Sequence, residues 1–109
     1  VNRLVSLDRE LSNLLKTGKY IIGSKRTLKA LKRGEIKAVI IASTLKREIK
    51  EDIIYYCKIS GVPLYTYPGS GWDLGVVCGK PFMVSTIGII DQGQSNIISL
   101  IQEEVSKVS

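Results

Sequence analysis

Residues Ala38-Val39-Ile40-Ile41-Ala42 form an unbroken apolar run bounded by Lys37 and Ser43. Successive side chains of a strand point to opposite faces of a sheet, so a run of strand length without polar alternation suits a strand buried on both sides. Such a chain must supply helices above and below that strand. The flanking sequence has the periodicity for them. From Arg3 to Lys16, Leu4, Leu7, Leu11, Leu14 and Leu15 recur at helical spacing, and Gly18 stops the pattern. Tyr20-Ile21-Ile22 is a short β-prone run broken by Gly23, after which a second helical pattern extends to Gly34.

Beyond Ser43 and Thr44 a third helix is expected from about Lys46 to Ser60, with Ile49, Ile53, Ile54 and Cys57 as its apolar stripe and Gly61 at its end. Pro63 to Tyr67 alternates as a strand should, with proline tolerated at the first position. The segment from 68 to 81, PGSGWDLGVVCGKP, is the main irregular stretch, interrupted by a short helix around Asp73 to Cys78. Phe82 to Ile90 reads as the last strand. Asp91 and Gln94 then fit a capping box that opens a terminal helix carrying Ile97, Ile98, Leu100, Ile101 and Val105. Strands alternating with helices predict an α/β protein, a three-layer α/β/α sandwich with a mixed or mainly parallel sheet of about four strands. At 109 residues the chain is expected to be a single domain, 1–109, with one core that needs no disulfide or metal.

Charge is distributed unevenly along this framework. Between Lys19 and Lys37 lie seven cations and the single acid Glu35, a net +6 that equals the formal charge of the whole chain. The rest of the sequence is balanced, so one segment carries the basic excess and implies an anionic partner. On the second helix Leu28 and Leu31 face the core, while Lys25, Lys29 and Lys32 share another side beside Arg26 and Arg33. Lys25 and Arg26 lie in the first turn, where the helix dipole disfavours an exposed cation by roughly 0.3–1 kcal/mol. A bound anion reverses that sign. The free N–H groups of the same turn, reached past Gly23, could donate to phosphate together with the Ser24 and Thr27 hydroxyls.

Other chemistry finds little support. Gly75 to Pro81 resembles a phosphate loop only superficially: its spacing is one residue short, and Pro81 stands where Ser or Thr would hold magnesium. With no histidine in the chain, general acid–base work would fall to Glu48, Glu51, Asp52, Glu103 and Glu104, which read as exposed helix charges. Cys57 sits on a helix stripe and Cys78 has no base beside it, although Lys80 could lower its pKa. Their spacing suits neither a metal site nor a disulfide, and a reducing cytoplasm is the natural setting. No apolar run approaches the roughly 18 residues of a membrane span. Val76, Val77, Pro81 and Phe82, apolar residues in a loop beside a cationic helix, could pack under unstacked RNA bases. Trp72 could be either a core plug or a stacking platform.

Several of these segments are familiar together. Ile22-Gly23-Ser24-Lys25-Arg26-Thr27-Leu28-Lys29-Ala30, the strand Ala38 to Ala42, Glu51 to Tyr56, and Leu74 to Pro81 resemble the thirty-e family of large-subunit ribosomal proteins, in the kink-turn-binding superfamily. The resemblance spans almost the whole chain and implies the same α/β/α sandwich. It also implies a non-enzymatic, cofactor-free structural component of the large ribosomal subunit that grips a sharply bent internal loop of rRNA. Carried over by position, Gly23 would allow close backbone approach, Ser24 and Lys25 would contact loop bases and phosphates, and Lys29 would hold backbone phosphates. Gly79, Lys80, Pro81 and Phe82, with Val76 and Val77, would cover an extruded base. Arg26, Thr27 and Lys32 complete the expected RNA-binding set. Lys25-Arg26 stands where box C/D-type relatives carry Asn-Glu, which disfavours the alternative of a general kink-turn protein of RNA-modification complexes. Ser43 and Gly71-Trp72 also replace asparagines found in some thirty-e relatives. Expected partners are rRNA, the chain's own message and neighbouring ribosomal proteins, with no membrane. Two readings from other classes are a small phosphate-ligand-binding enzyme or regulator using the Gly23 helix start, and an adaptor with Tyr65, Tyr67 and Trp72 as its contact surface.

Overall fold

The computed structural model describes residues 3–93 together with Ile97, Ile98 and Ile101, with side chains described from residue 9 onward. Eight elements follow in order: α1 (Arg3–Thr17), β1 (Lys19–Ile22), α2 (Ser24–Lys32), β2 (Ala38–Ala42), α3 (Arg47–Ser60), β3 (Leu64–Tyr67), α4 (Gly71–Val77) and β4 (Thr86–Asp91). The strands form one sheet in the order β1-β4-β2-β3. β2 and β3 are parallel, Val39 opposite Leu64, whereas β4 is antiparallel to both β1 and β2. The sheet is therefore mixed, with β4, the last strand in sequence, inserted beside β2 at its centre.

All five residues of β2 are buried, as a strand covered on both faces requires. Ala38, Ile40 and Ala42 pack with Leu11, Leu14, Leu74, Ile87 and Ile89 on one face. Val39 and Ile41 pack with Ala30, Leu31, Ile53 and Cys57 on the other. So α1 and α4 cover one side of the sheet, and α2 and α3 cover the opposite side. Ile97 and Ile101, both helical, are fully buried in the α1 face, and the Gln92 side-chain oxygen accepts from the Ile98 N–H at 3.2 Å. Asp91 instead ends β4 and accepts from the Gly93 N–H at 2.9 Å, while Gln94, Leu100 and Val105 of the expected terminal helix lie outside the described residues.

Two boundaries and one helix stripe differ from expectation. The last strand begins at Thr86, not Phe82, because the preceding segment is tied to α4 through the Val84 N–H and the Gly71 carbonyl (2.9 Å). α4 begins at Gly71, earlier than Asp73, because Ser70 and Asp73 form a reciprocal capping box at its start. On α3 the buried stripe is Ile53 and Cys57 with half-buried Ile49 and Tyr56; Ile54, about 100° around the helix from Ile53, is 40% exposed.

Glycine lets two layers meet closely at one point. A Cβ at Gly88 of β4 would lie 2.8 Å from Thr27 Cγ2 and 3.0 Å from Ile36 Cδ1, so α2 can rest on the sheet only where that side chain is missing. Gly88→Ala should therefore destabilise the fold by about 1–3 kcal/mol through overpacking. Urea unfolding would show this as a lower midpoint at unchanged slope.

The cysteines are core residues, and desolvation pushes both thiols up to about 11; for Cys78 this outweighs the opposing pull of Lys80. Both should resist a thiol reagent near neutral pH until the protein unfolds. Because an unfolded thiol ionises near its ordinary value of 9 while the folded one stays protonated, stability should fall as pH rises from about 9 toward about 11. Denaturation midpoints across that window would check it, and Cys57→Ser with Cys78→Ser should flatten the dependence.

Candidate nucleic-acid interface

The passage from β1 into α2 turns on Gly23, whose φ of 119° and ψ of 139° suit a residue without a Cβ. No atom lies within 4 Å of where that Cβ would be, so backbone conformation, not crowding, calls for glycine here. The Gly23 N–H donates to the Thr86 carbonyl at 3.0 Å, and the hydroxyls of Ser24 and Thr86 are hydrogen-bonded at 2.9 Å. Two bonds thus stitch the start of α2 to the entry of β4. No side chain caps α2, and its first turn holds no acid. Its N–H groups and the exposed cations Lys25 and Arg26 together make that end positive.

On the other side of the stitch, Gly79 adopts φ 69° after α4, and the Lys80 N–H donates back to the Gly75 carbonyl at 2.9 Å. This reversal turns Lys80 and Phe82 toward α2. The result is an open cleft of about 440 Å³ alongside the edge strand β1. Arg26 and Lys29 of α2 and Arg33, which caps its C-terminal end, line it with Lys80 and the single acid Glu35. Tyr20, Ile21, Ile22 and Ala30 give it an apolar floor, and the Phe82 ring, about half exposed, adds an aromatic wall. Cations around an apolar surface can hold phosphates while bases leave water.

The structure therefore brings Arg26, Lys29, Lys80 and Phe82 together in the cleft, with Gly23, Ser24 and Lys25 at the adjoining helix start. Other expected contacts go elsewhere. Thr27 is fully buried on the stripe it shares with Ala30 and Leu31, and its hydroxyl is shut against Gly88 with no hydrogen-bond partner, so it cannot reach a phosphate. Ser24 is half-buried, its hydroxyl already engaged by Thr86. Lys32 reaches toward α3, its Nζ 5.0 Å from the centre of the Tyr56 ring, a cation–π geometry. Val77 turns inward against the α1-side core, while Val76 is exposed on α4 and Gly79 and Pro81 are exposed beside it.

Sequence reasoning left Arg33, Glu35 and the whole β1 floor out of the site. Arg26, Lys29 and Arg33 stand at i, i+3 and i+7, a spacing that puts them on one side of a helix and could have identified Arg33. The adaptor surface is not assembled: Tyr67 is buried and Tyr65 is half-buried against the same core, leaving only Trp72 exposed. Among the described residues no cluster of three His, Cys, Asp or Glu side chains is placed to hold a metal ion.

Comparison with known proteins gives the family. The model of the ribosomal protein L7Ae/L30e/S12e/Gadd45 family matches residues 6–99. The large ribosomal subunit protein eL30 of Saccharolobus solfataricus is 57% identical over 99 residues, 91% of this chain and 92% of its own length. The eL30 proteins of Sulfurisphaera tokodaii (52% over 100 residues; 92% of this chain, 94% of the relative) and Methanocaldococcus jannaschii (39% over 100; 92% and 91%) are similar along the same span. With a family model covering most of its length and relatives well above the identity at which a fold is shared, this chain belongs to the L7Ae/L30e/S12e/Gadd45 family of ribosomal proteins.

Proposed function

We propose that the chain is a structural, non-catalytic component of the large ribosomal subunit that binds rRNA and stabilises a kink-turn internal loop. The observation that carries this reading is the convergence of the α2 start and the 79–82 loop on one basic cleft with an apolar floor. Eight relatives along nearly the full chain that share the description large ribosomal subunit protein eL30 support it, including those from S. solfataricus and S. tokodaii.

Sharp bending brings RNA phosphates close together, and their repulsion opposes the kink. Arg26, Lys29, Arg33 and Lys80 offset that repulsion, and the uncapped N–H groups of α2 add donors that need no rearrangement. Phe82, with Val76 near it on α4, covers a base that the bend has unstacked. The protein then shifts an existing equilibrium toward the kinked state, because only that state fits both the cations and the aromatic wall. In this reading residues 1–109 act as one RNA-binding domain, working in the cytoplasm on the ribosome beside neighbouring ribosomal proteins, and the same cleft would accept a similar bend in the chain's own message.

Binding to a kink-turn RNA and to a fully paired RNA of the same composition, each titrated across salt, tests the proposal. A strong preference for the kink with a steep negative salt slope is expected; equal, weak binding to both overturns it. Lys29→Ala should reduce the magnitude of the salt slope by about 1 for kinked and paired RNA alike. Phe82→Ala should keep the slope but lose about 1–3 kcal/mol of preference for the kink, the usual effect of removing one stacking ring.

A further inference from the structure

Trp72 is the only tryptophan in the chain, and it is 64% exposed. Nothing in the core requires it. It lies one helical turn before Val76, which is 77% exposed, so the two occupy the same side of α4. The neighbouring side of α4 is formed by Gly71 and Gly75. A Cβ at Gly71 would collide with the Met83 side chain and one at Gly75 with the Phe82 carbonyl, so the 82–84 segment lies directly across the helix there. The Val84 N–H, 2.9 Å from the Gly71 carbonyl, fixes it in place. The Met83 side chain, at Gly71, and the Phe82 backbone, at Gly75, thereby run along the edge of α4 that carries Trp72 and Val76, and these four exposed residues make one apolar ledge.

That ledge continues from the basic cleft, because Phe82 belongs to both. The acid next to Trp72 in sequence is turned away: Asp73 Oδ2 accepts from the Ser70 N–H at 3.0 Å and from its hydroxyl at 3.1 Å. The same capping box fixes the first turn of α4, from which the indole projects. We propose that Trp72 is a second base-stacking platform, taking an unpaired nucleobase adjacent to the one covered by Phe82. Every base has a flat π face, so an exposed indole beside a cationic site binds a base without reading its sequence, and the exposed Val76 and Met83 add apolar surface to the same ledge. The two platforms would capture successive unstacked nucleotides as the strand leaves the cleft. This assignment rests on the RNA reading above and adds to it a residue that sets how many loop nucleotides are held.

A single tryptophan makes the test direct. Wild-type protein is titrated with the kink-turn RNA and with the same RNA made abasic at its unpaired loop positions, reading affinity by filter binding and Trp72 emission in parallel. Stacking should quench the emission with the intact RNA and leave it unchanged with the abasic one. Trp72→Ala should bind the intact RNA roughly 5- to 150-fold more weakly at an unaltered salt slope, Trp72→Phe should recover most of that loss, and wild type and Trp72→Ala should be equal on abasic RNA. Kink-selective binding with unmoved emission and no effect of Trp72→Ala overturns the assignment while leaving the RNA reading intact. Emission that shifts to the blue only within the assembled large subunit, and not with RNA alone, overturns it in favour of a protein contact. Loss of kink preference in the wild-type protein overturns both.

Discussion

The antiparallel insertion of β4 between β1 and β2 is the constraint on which the site depends. It carries Thr86 alongside the end of β1, where its carbonyl receives the Gly23 N–H and its hydroxyl meets Ser24, 62 residues away in sequence. The loop that feeds β4 is thereby held next to the start of α2. Without that pairing, the cations of α2 and the aromatic ring of Phe82 would belong to separate surfaces. With it they line one cleft.

The same arrangement leaves an electrostatic imbalance at the protein surface. Lys25 and Arg26 crowd the positive end of the α2 dipole, with no acid in the turn to offset them and no side chain capping its N–H groups. Lys29 and Lys32, by contrast, lie in the last turn, where the dipole favours them. The cleft runs along the helix from Arg26, in that unfavourable first turn, to Arg33 at the far end. An arriving phosphate chain supplies the missing negative charge and hydrogen-bond acceptors together, so the free protein carries a local cost that binding removes.

Close packing of glycines against other elements supports both walls of the site. Gly88 lets α2 settle onto the sheet, which sets the height of its cationic side above β1. Gly71 and Gly75 let the 82–84 segment lie on α4, which aims Phe82 into the cleft and groups it with the exposed face of the helix. In each case the missing side chain matters through what it allows to approach. The Gly23 requirement is different in kind, since open space surrounds it and only its positive φ excludes other residues.

Periodicity and charge order made much of this protein legible before any coordinates. The five-residue run of β2 required cover on both faces, the leucine and isoleucine spacings identified α1 to α3, and the resemblance carried by Ile22 to Ala30 and Leu74 to Pro81 agreed with the family match. These are local signals: hydrogen bonds within a turn, side chains three or four apart, charge within one segment. The departures came where partners are distant. Thr27 looked available on a basic helix, yet α2 rotates it onto Gly88; Phe82 to Ser85 looked like strand, yet the Val84 N–H is taken by Gly71 of α4 and only the Ser85 carbonyl bonds to β2, at Ala42; Val77 looked free to cover a base and packs inward. The sequence by itself determined the elements, the buried strand and the basic helix, because each follows from neighbours along the chain. Only the tertiary structure decided which cations share a cleft, that β1 is its floor and that Trp72 faces out, because those depend on strand pairings and close approaches between residues far apart in sequence.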